Sequence, residues 1–255
     1  MTAKIARRAG LFYALPLLAL PLTAAATGSI STLGTDSVFL PFAGGVTAGQ
    51  LTGSPALSVG FNGGPQTTFI MDTGSTGMVV TKDVYTPPSG STPAYTNVVQ
   101  AYASNHVAFT GDIYYTPVQI GSGANSVTAN VPVLVVDPAT GIACTNGPSS
   151  CTIPTTWKFM GVGFGDTTAG GGNTNWPLTT TQRNPLFNIT QINGQAASPT
   201  QGWIMSSTGI TVGLTASNTL AFVPSSLDTL TTSGGDYARG RSSVSVNGGA
   251  FNAGT

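Results

Sequence analysis

Asp72 is the residue of this chain best placed to do chemistry. Phe69-Ile70-Met71 runs straight into Asp72-Thr73-Gly74-Ser75, and Gly77-Met78-Val79-Val80 leads away as a second apolar run. Two apolar strands joined by a short polar turn mount a carboxylate at the tip of a buried element. There its environment can be set for proton transfer. A carboxylate used this way commonly works with a second one. Two facing carboxyls cannot both ionise, so they share a proton: one takes a proton from water and the other donates to the group under attack. The plainer reading makes Asp72 a turn residue that caps its own backbone.

Other chemistries lack their parts. His106 is the single histidine, so a Ser/His triad would have to use it, and no Gly-x-Ser-x-Gly elbow is present. His106 reads instead as a solvated loop residue. Gly161-x-Gly163-x-Gly165 has Asp166 where a dinucleotide fingerprint would continue. No Cys/His group has metal-ligand spacing, and neither a metal nor a cofactor is expected. The five Lys and Arg after residue 26 are scattered, which argues against nucleic acid as a partner.

The elements that must hold Asp72 follow from composition. In 255 residues the hydrophobic share is 40% and the charged share 6%, and every acidic residue is Asp. Thr, Ser, Gly and Asn are abundant where helix formers are scarce, which predicts an all-β fold rich in turns. Leu51 to Phe61 reads as a strand turning at Asn62-Gly63-Gly64-Pro65 into the Asp72 strand. Residues 86–93 read as a surface loop. A hairpin is predicted from Val98 to Ile120 with its tip near Ser104-Asn105-His106, then a buried strand from Val127 to Val136. Phe159-Met160-Gly161-Val162-Gly163-Phe164-Gly165 places glycines at period two, which lets backbones approach closely on one face. A short helix is predicted to begin at Asn184-Pro185-Leu186-Phe187. Residues 203–205 and 210–214 read as a hairpin, and Phe222-Val223 and Val244-Ser245-Val246 as strands.

The N-terminus has the pattern of a signal peptide over residues 1–26. Lys4, Arg7 and Arg8 precede the apolar run Leu11 to Leu22 and Ala24-Ala25-Ala26. The run is too short to span a bilayer comfortably; an uncleaved anchor is the alternative. Removing this segment leaves five Lys and Arg against eight Asp, a net charge of −3. Cys144 and Cys151 are the only cysteines and bracket a turn-rich stretch. They read as a small-loop disulfide of an exported protein, in a periplasm, at a surface or in the medium; two free thiols are the alternative.

The Asp72-Thr73-Gly74-Ser75 loop, with its apolar flanks, resembles the catalytic loop of the pepsin-like aspartic peptidases. Phe109-Thr110-Gly111-Asp112-Ile113 and Thr116 to Gly121 are similar to the flap hairpin and returning strand of that family. Phe159 to Gly165 resembles its hydrophobic-hydrophobic-Gly element, which threads beside the catalytic loop. Pro185-Leu186-Phe187 and the hairpin over 203–214 stand where the first lobe closes. In order and spacing the resemblance covers residues 50–215. It implies a pepsin-like lobe over 27–215 and a peptide or protein substrate lying as a strand beneath the flap. It also implies that Thr73 bonds across to a partner loop, that Gly74 admits close backbone approach, and that Ser75 hydrogen-bonds the outer oxygen of Asp72. Tyr102 and Phe109 are the residues it offers for the flap, although Tyr102 lies earlier relative to Gly111 than the family pattern has its flap tyrosine. Met78-Val79-Val80 also stands where many relatives carry Trp.

One requirement of that chemistry is missing. Asp36, Asp166, Asp228 and Asp236 lack the strand-Asp-Thr/Ser-Gly context. The expectation is that residues 216–255 begin a second lobe, with the second aspartate beyond this sequence, or else form a C-terminal extension. A single-lobed homodimer like the retropepsins would instead pair two copies of Asp72, although the residue count argues against it. A third alternative is a catalytically inactive exported β protein that binds peptides or contributes to a cell surface.

Overall fold

The computed structural model describes residues 33–102, 104–147, 151–163 and 175–222, together with two short strands at 243–244 and 252–253. The predicted segment 1–26 and residues Asp166, Asp228 and Asp236 lie outside the described residues. The described chain is predominantly β.

In chain order the strands are β1 (Val38–Pro41), β2 (Gly44–Thr47), β3 (Gln50–Phe61), β4 (Gln66–Asp72), β5 (Thr76–Thr81), β6 (Tyr95–Tyr102), β7 (Val107–Ser122), β8 (Asn125–Val136), β9 (Ile142–Cys144) and β10 (Lys158–Val162). After the short helix α1 (Thr180–Arg183) come β11 (Ile189–Ile192), β12 (Gln195–Ala196), β13 (Trp203–Met205) and β14 (Gly209–Val212). A second short helix, α2 (Ala216–Thr219), and a paired β15 (Ser243–Val244) and β16 (Asn252–Ala253) complete the elements.

The main sheet closes on itself. Strands β8, β5, β10, β4, β3 and β7 follow one another in hydrogen-bonded order, and β7 pairs back onto β8. Closure removes the free edges that would otherwise seek partners. Side chains alternating inward fill the ring. Leu57 and Val59 of β3, Phe69 and Met71 of β4, Met78 and Val80 of β5, Val133 and Val135 of β8 and Met160 of β10 share one core. The opposite faces of β5 and β8 are buried as well. Val79, Leu134 and Val136 join Val98, Tyr102, Phe109, Ile113 and Trp157 in a second core under the β6–β7 hairpin. A strand buried on both faces has no polar side to alternate with, which is why Val131 to Val136 is so nearly continuous in apolar residues. A separate three-stranded sheet, β1–β14–β13, pairs Val38–Pro41 with Gly209–Val212.

The predicted strands over 51–61 and 127–136, the hairpin with its turn at 104–106 and the hairpin over 203–214 all form. The helix does not begin at Asn184. It is α1, one turn earlier. Thr179 accepts from Gln182 N while Gln182 Oε1 accepts from Thr179 N, a reciprocal cap that starts the helix there. Asn184 precedes Pro185 and adopts an extended ψ of 116°, so the helix stops where the sequence reading began it. Phe222 is not in a strand; the chain before it is α2, capped in the same way by Thr215 and Asn218, and Phe222 is exposed. Val223 lies outside the described residues, as do 245 and 246.

Cys144 and Cys151 are joined in a disulfide. The bond indicates an oxidising compartment. Its loop is short, so its contribution to global stability is roughly 2.5 kcal/mol by chain entropy. No helix among the described residues is long and apolar enough to cross a membrane.

The closed core makes a direct prediction for stability. Met160 is fully buried between β4 and β5, so Met160→Ala is expected to lower unfolding free energy by about 2–5 kcal/mol. Leu220 is 85% exposed, and Leu220→Ala is expected to change it by less than about 0.5 kcal/mol. Urea titrations of the two variants check the contrast.

Candidate functional site

β4 delivers Asp72. Phe69 and Met71 alternate into the core, which fixes the strand's register and turns Asp72 to the other side, half-buried. The chain then turns through exposed Thr73 and Gly74 and re-enters the core at buried Ser75 and Thr76. Strands β4 and β5, which flank this turn, are held apart by β10. It runs parallel to β4, with Gly161 opposite Asp72, and antiparallel to β5, with Gly161 opposite Gly77.

That threading explains two of the period-two glycines. A Cβ on Gly161 would stand 2.7 Å from the Ser75 carbonyl and hydroxyl. A Cβ on Gly163 would collide with the Thr73 carbonyl oxygen. With no side chains in the way, Gly163 N donates to Ser75 O at 2.8 Å and the Thr76 hydroxyl donates to Gly163 O at 2.9 Å. Buried Asn184, the residue that ends α1, donates from Nδ2 to Val162 O at 3.1 Å and so ties α1 to the end of β10. The sequence names Asn184 only as the expected start of a helix, because an Asn before a proline carries no local signal of a partner over twenty residues away. Gly77, at φ 105°, leaves room for the Trp176 ring and the Arg183 stem behind the turn. The Arg183 guanidinium lies 5.2 Å over the Trp176 ring, a cation–π contact in a buried setting.

Both oxygens of Asp72 are engaged by its own turn. Gly74 N donates to Oδ1 at 2.8 Å and the Ser75 hydroxyl donates to Oδ2 at 2.6 Å. The Ser75 contact is as short as charge-assisted hydroxyl–carboxylate bonds are. The Gly74 contact is the self-capping that the plainer reading anticipated. The cap also fixes the orientation of the carboxyl group.

Tyr102, the last residue of β6, is brought to the same place. It is buried, and its hydroxyl lies within reach of the Ser75 hydroxyl and of the Trp157 indole. The indole N–H itself does not complete a hydrogen bond of good geometry. Burial, with the negative charge of Asp72 added, raises the Tyr102 pKa far above its ordinary value despite the opposing pull of Trp157 and Ser75. Tyr102 is thus a neutral phenol at any working pH. Phe109 is different. It is fully buried, its ring tilted at 38° and 4.5 Å from Trp157 and edge-on to Tyr102, and offers a substrate no surface. It belongs to the packing beneath the hairpin, because its register on β7 points it into the second core.

No second carboxylate joins Asp72 among the described residues. Asp83 and Asp137 sit past the far end of β5, roughly 16 Å away at about 3.3 Å per residue along the strand. Asp112 accepts from Asn97 N on the outer hairpin, and Asp36 precedes β1. No cluster of His, Cys or Asp among the described residues has the makings of a metal site. Two clefts, of about 460 Å³ along Pro93 to Val98 and about 380 Å³ around Tyr85, Tyr114 and Tyr115, do not include the Asp72 turn.

Two outcomes follow. Gly163→Ala is expected to push the Thr73 carbonyl away and to destabilise the fold by about 1–3 kcal/mol; calorimetric melting measures it. Tyr102 keeps its proton in the folded state after the unfolded chain has lost it, so its contribution to stability is full below pH 10 and falls as pH rises beyond that value. Tyr102→Phe is expected to flatten the decline in stability between pH 9 and pH 11, read by urea unfolding of both proteins. A scan against protein-family models and a search of curated proteins returned no match to this chain, so the geometry of the Asp72 turn carries the functional argument.

Proposed function

We propose that the protein is an exported aspartic endopeptidase of pepsin-like type, in which Asp72 supplies one of two catalytic carboxylates. The observation that carries this reading is the Asp72 turn itself. A carboxyl group is fixed by Gly74 N and the Ser75 hydroxyl at the end of a core strand, while Thr73 and Gly74 beside it face solvent. A turn built only to reverse the chain needs no third strand between its arms; this one is splayed by β10 and locked from behind.

The second carboxylate would come from outside the described residues, from a second lobe or from a second copy of the chain. In either case the exposed Thr73-Gly74 edge is the surface available to meet it. A water held between the two carboxyls would lose a proton to the ionised one as its oxygen attacks the scissile carbonyl carbon. The protonated carboxyl would donate to the carbonyl oxygen. Collapse of the resulting diol breaks the C–N bond, and the amine leaves with a proton returned from the pair. The substrate is an extended peptide passing between the Asp72 turn and the β6–β7 hairpin, with apolar side chains near the scissile bond. Residues 1–26 would direct export, in keeping with the disulfide.

Asp72→Asn keeps the shape of the turn but removes the titrating carboxyl. In the full-length protein it is expected to lower peptide hydrolysis at acid pH by at least roughly 10²-fold, with an unchanged melting temperature. Hydrolysis at the wild-type rate by the folded variant would refute the assignment.

A further inference from the structure

We propose that β9, with Gly141 before it and Thr145 and Asn146 after it, is a strap that grips the tip of the β6–β7 hairpin through His106, is tied back by the Cys144–Cys151 disulfide, and holds the tip over the Asp72 turn.

Four contacts join residues 141–146 to the hairpin. β9 pairs antiparallel with β7, with Val107 opposite Cys144 and Phe109 opposite Ile142. The ladder extends at both ends: Thr110 N donates to Gly141 O at 2.6 Å, and Thr145 N donates to His106 O at 2.8 Å. The side chain of His106 is engaged too, its Nδ1 lying 3.0 Å from Asn146 Nδ2. The disulfide then returns the strap to the hairpin's floor, since Cys151 packs on the core that contains Tyr102, Phe109 and Trp157.

The tip is therefore the middle of three strands rather than the end of two. On its other side Val107 pairs with Tyr102, and Tyr102 reaches Ser75, which holds Asp72. His106 stands at φ 53°, a left-handed conformation that a β-branched residue resists but Asn tolerates. A two-stranded tip opens easily, whereas a third strand closed by a covalent bond raises the free energy of local opening. The site is in this way preordered before any peptide arrives, and a peptide binding there has less chain to order. That consequence rests on the peptidase reading; the strap itself does not.

Hydrogen exchange of the full chain without substrate tests the strap. The amides of Thr145 and Thr110 report strap–hairpin bonds, and that of Gly163 reports the Asp72 turn. In Cys144→Ser/Cys151→Ser, Thr145 and Thr110 are expected to exchange at least tenfold faster with Gly163 unchanged. His106→Val, which keeps the disulfide, is expected to do the same at Thr145, while His106→Asn retains protection. If the double variant unfolds outright, shown by loss of protection at Gly163, His106→Val decides the matter. Unchanged exchange at Thr145 in His106→Val or in a folded double variant overturns the proposal. In the same variants KM for a peptide substrate should rise at least threefold with kcat less affected. A protein that cleaves no peptide would refute the peptidase reading and leave the exchange result standing.

Discussion

Everything at the candidate site depends on β10 passing between β4 and β5. A strand can enter there only if its residues nearest the turn carry no side chain, and Gly161 and Gly163 satisfy that need against the backbone and hydroxyl of Ser75 and the carbonyl of Thr73. Once threaded, β10 fixes the width of the turn through the Gly163–Ser75 hydrogen bond. It closes the barrel ring by joining the two strands it separates. It also buries Met160 and Val162 in the common core. The hydrophobic effect holds β10 in place, and the glycines convert that burial into a precise setting of the turn.

Support for the turn comes in layers. Behind it, Asn184 ties α1 to the carbonyl end of β10, and Trp176 and Arg183 fill the space that Gly77 leaves. Beside it, Tyr102 ties the hairpin to Ser75 through an environment that keeps its phenol neutral. A neutral phenol can bridge toward both a hydroxyl and an indole without adding charge beside Asp72. On its far side the hairpin pairs with β9, whose last residue, Cys144, is disulfide-bonded to Cys151. In the proposed pairing with a second carboxyl group, such rigidity means that Asp72 need not be ordered when its partner arrives.

Local pattern made much of this legible in the sequence, and distance hid the rest. Phe69 to Ser75 announced a strand ending in a carboxylate turn because alternation and turn chemistry are local signals. The Val-rich run ending at Val136 announced a buried strand, because composition too is a local signal; that both its faces are buried is visible only in the packing. The glycines at 161 and 163 announced a close approach but could not name Ser75 and Thr73 as what they approach. The helix lies upstream of Asn184-Pro185-Leu186-Phe187, where its strongest local signal is Thr179 reciprocally capped by Gln182. The same kind of cap at Thr215 and Asn218 was missed. Phe109 looked like a residue for the cleft until its strand parity placed it in the core. β9 is three residues long, too short to show a period, and its role emerges only from its pairing with β7. Ring closure by β7 on β8 and β3 is likewise a long-range fact that no window of sequence contains.

The central claim is that Asp72 is half of a catalytic carboxylate pair. Calorimetric binding of a peptide bearing a tetrahedral hydroxyl in place of the scissile carbonyl, to the full-length protein at acid pH, addresses it most directly. If Asp72 is one of the pair, the wild type binds tightly with proton exchange to buffer, and Asp72→Asn binds at least a hundredfold more weakly with the fold retained. Equal affinity in both proteins, or no binding by a folded wild type, would contradict it.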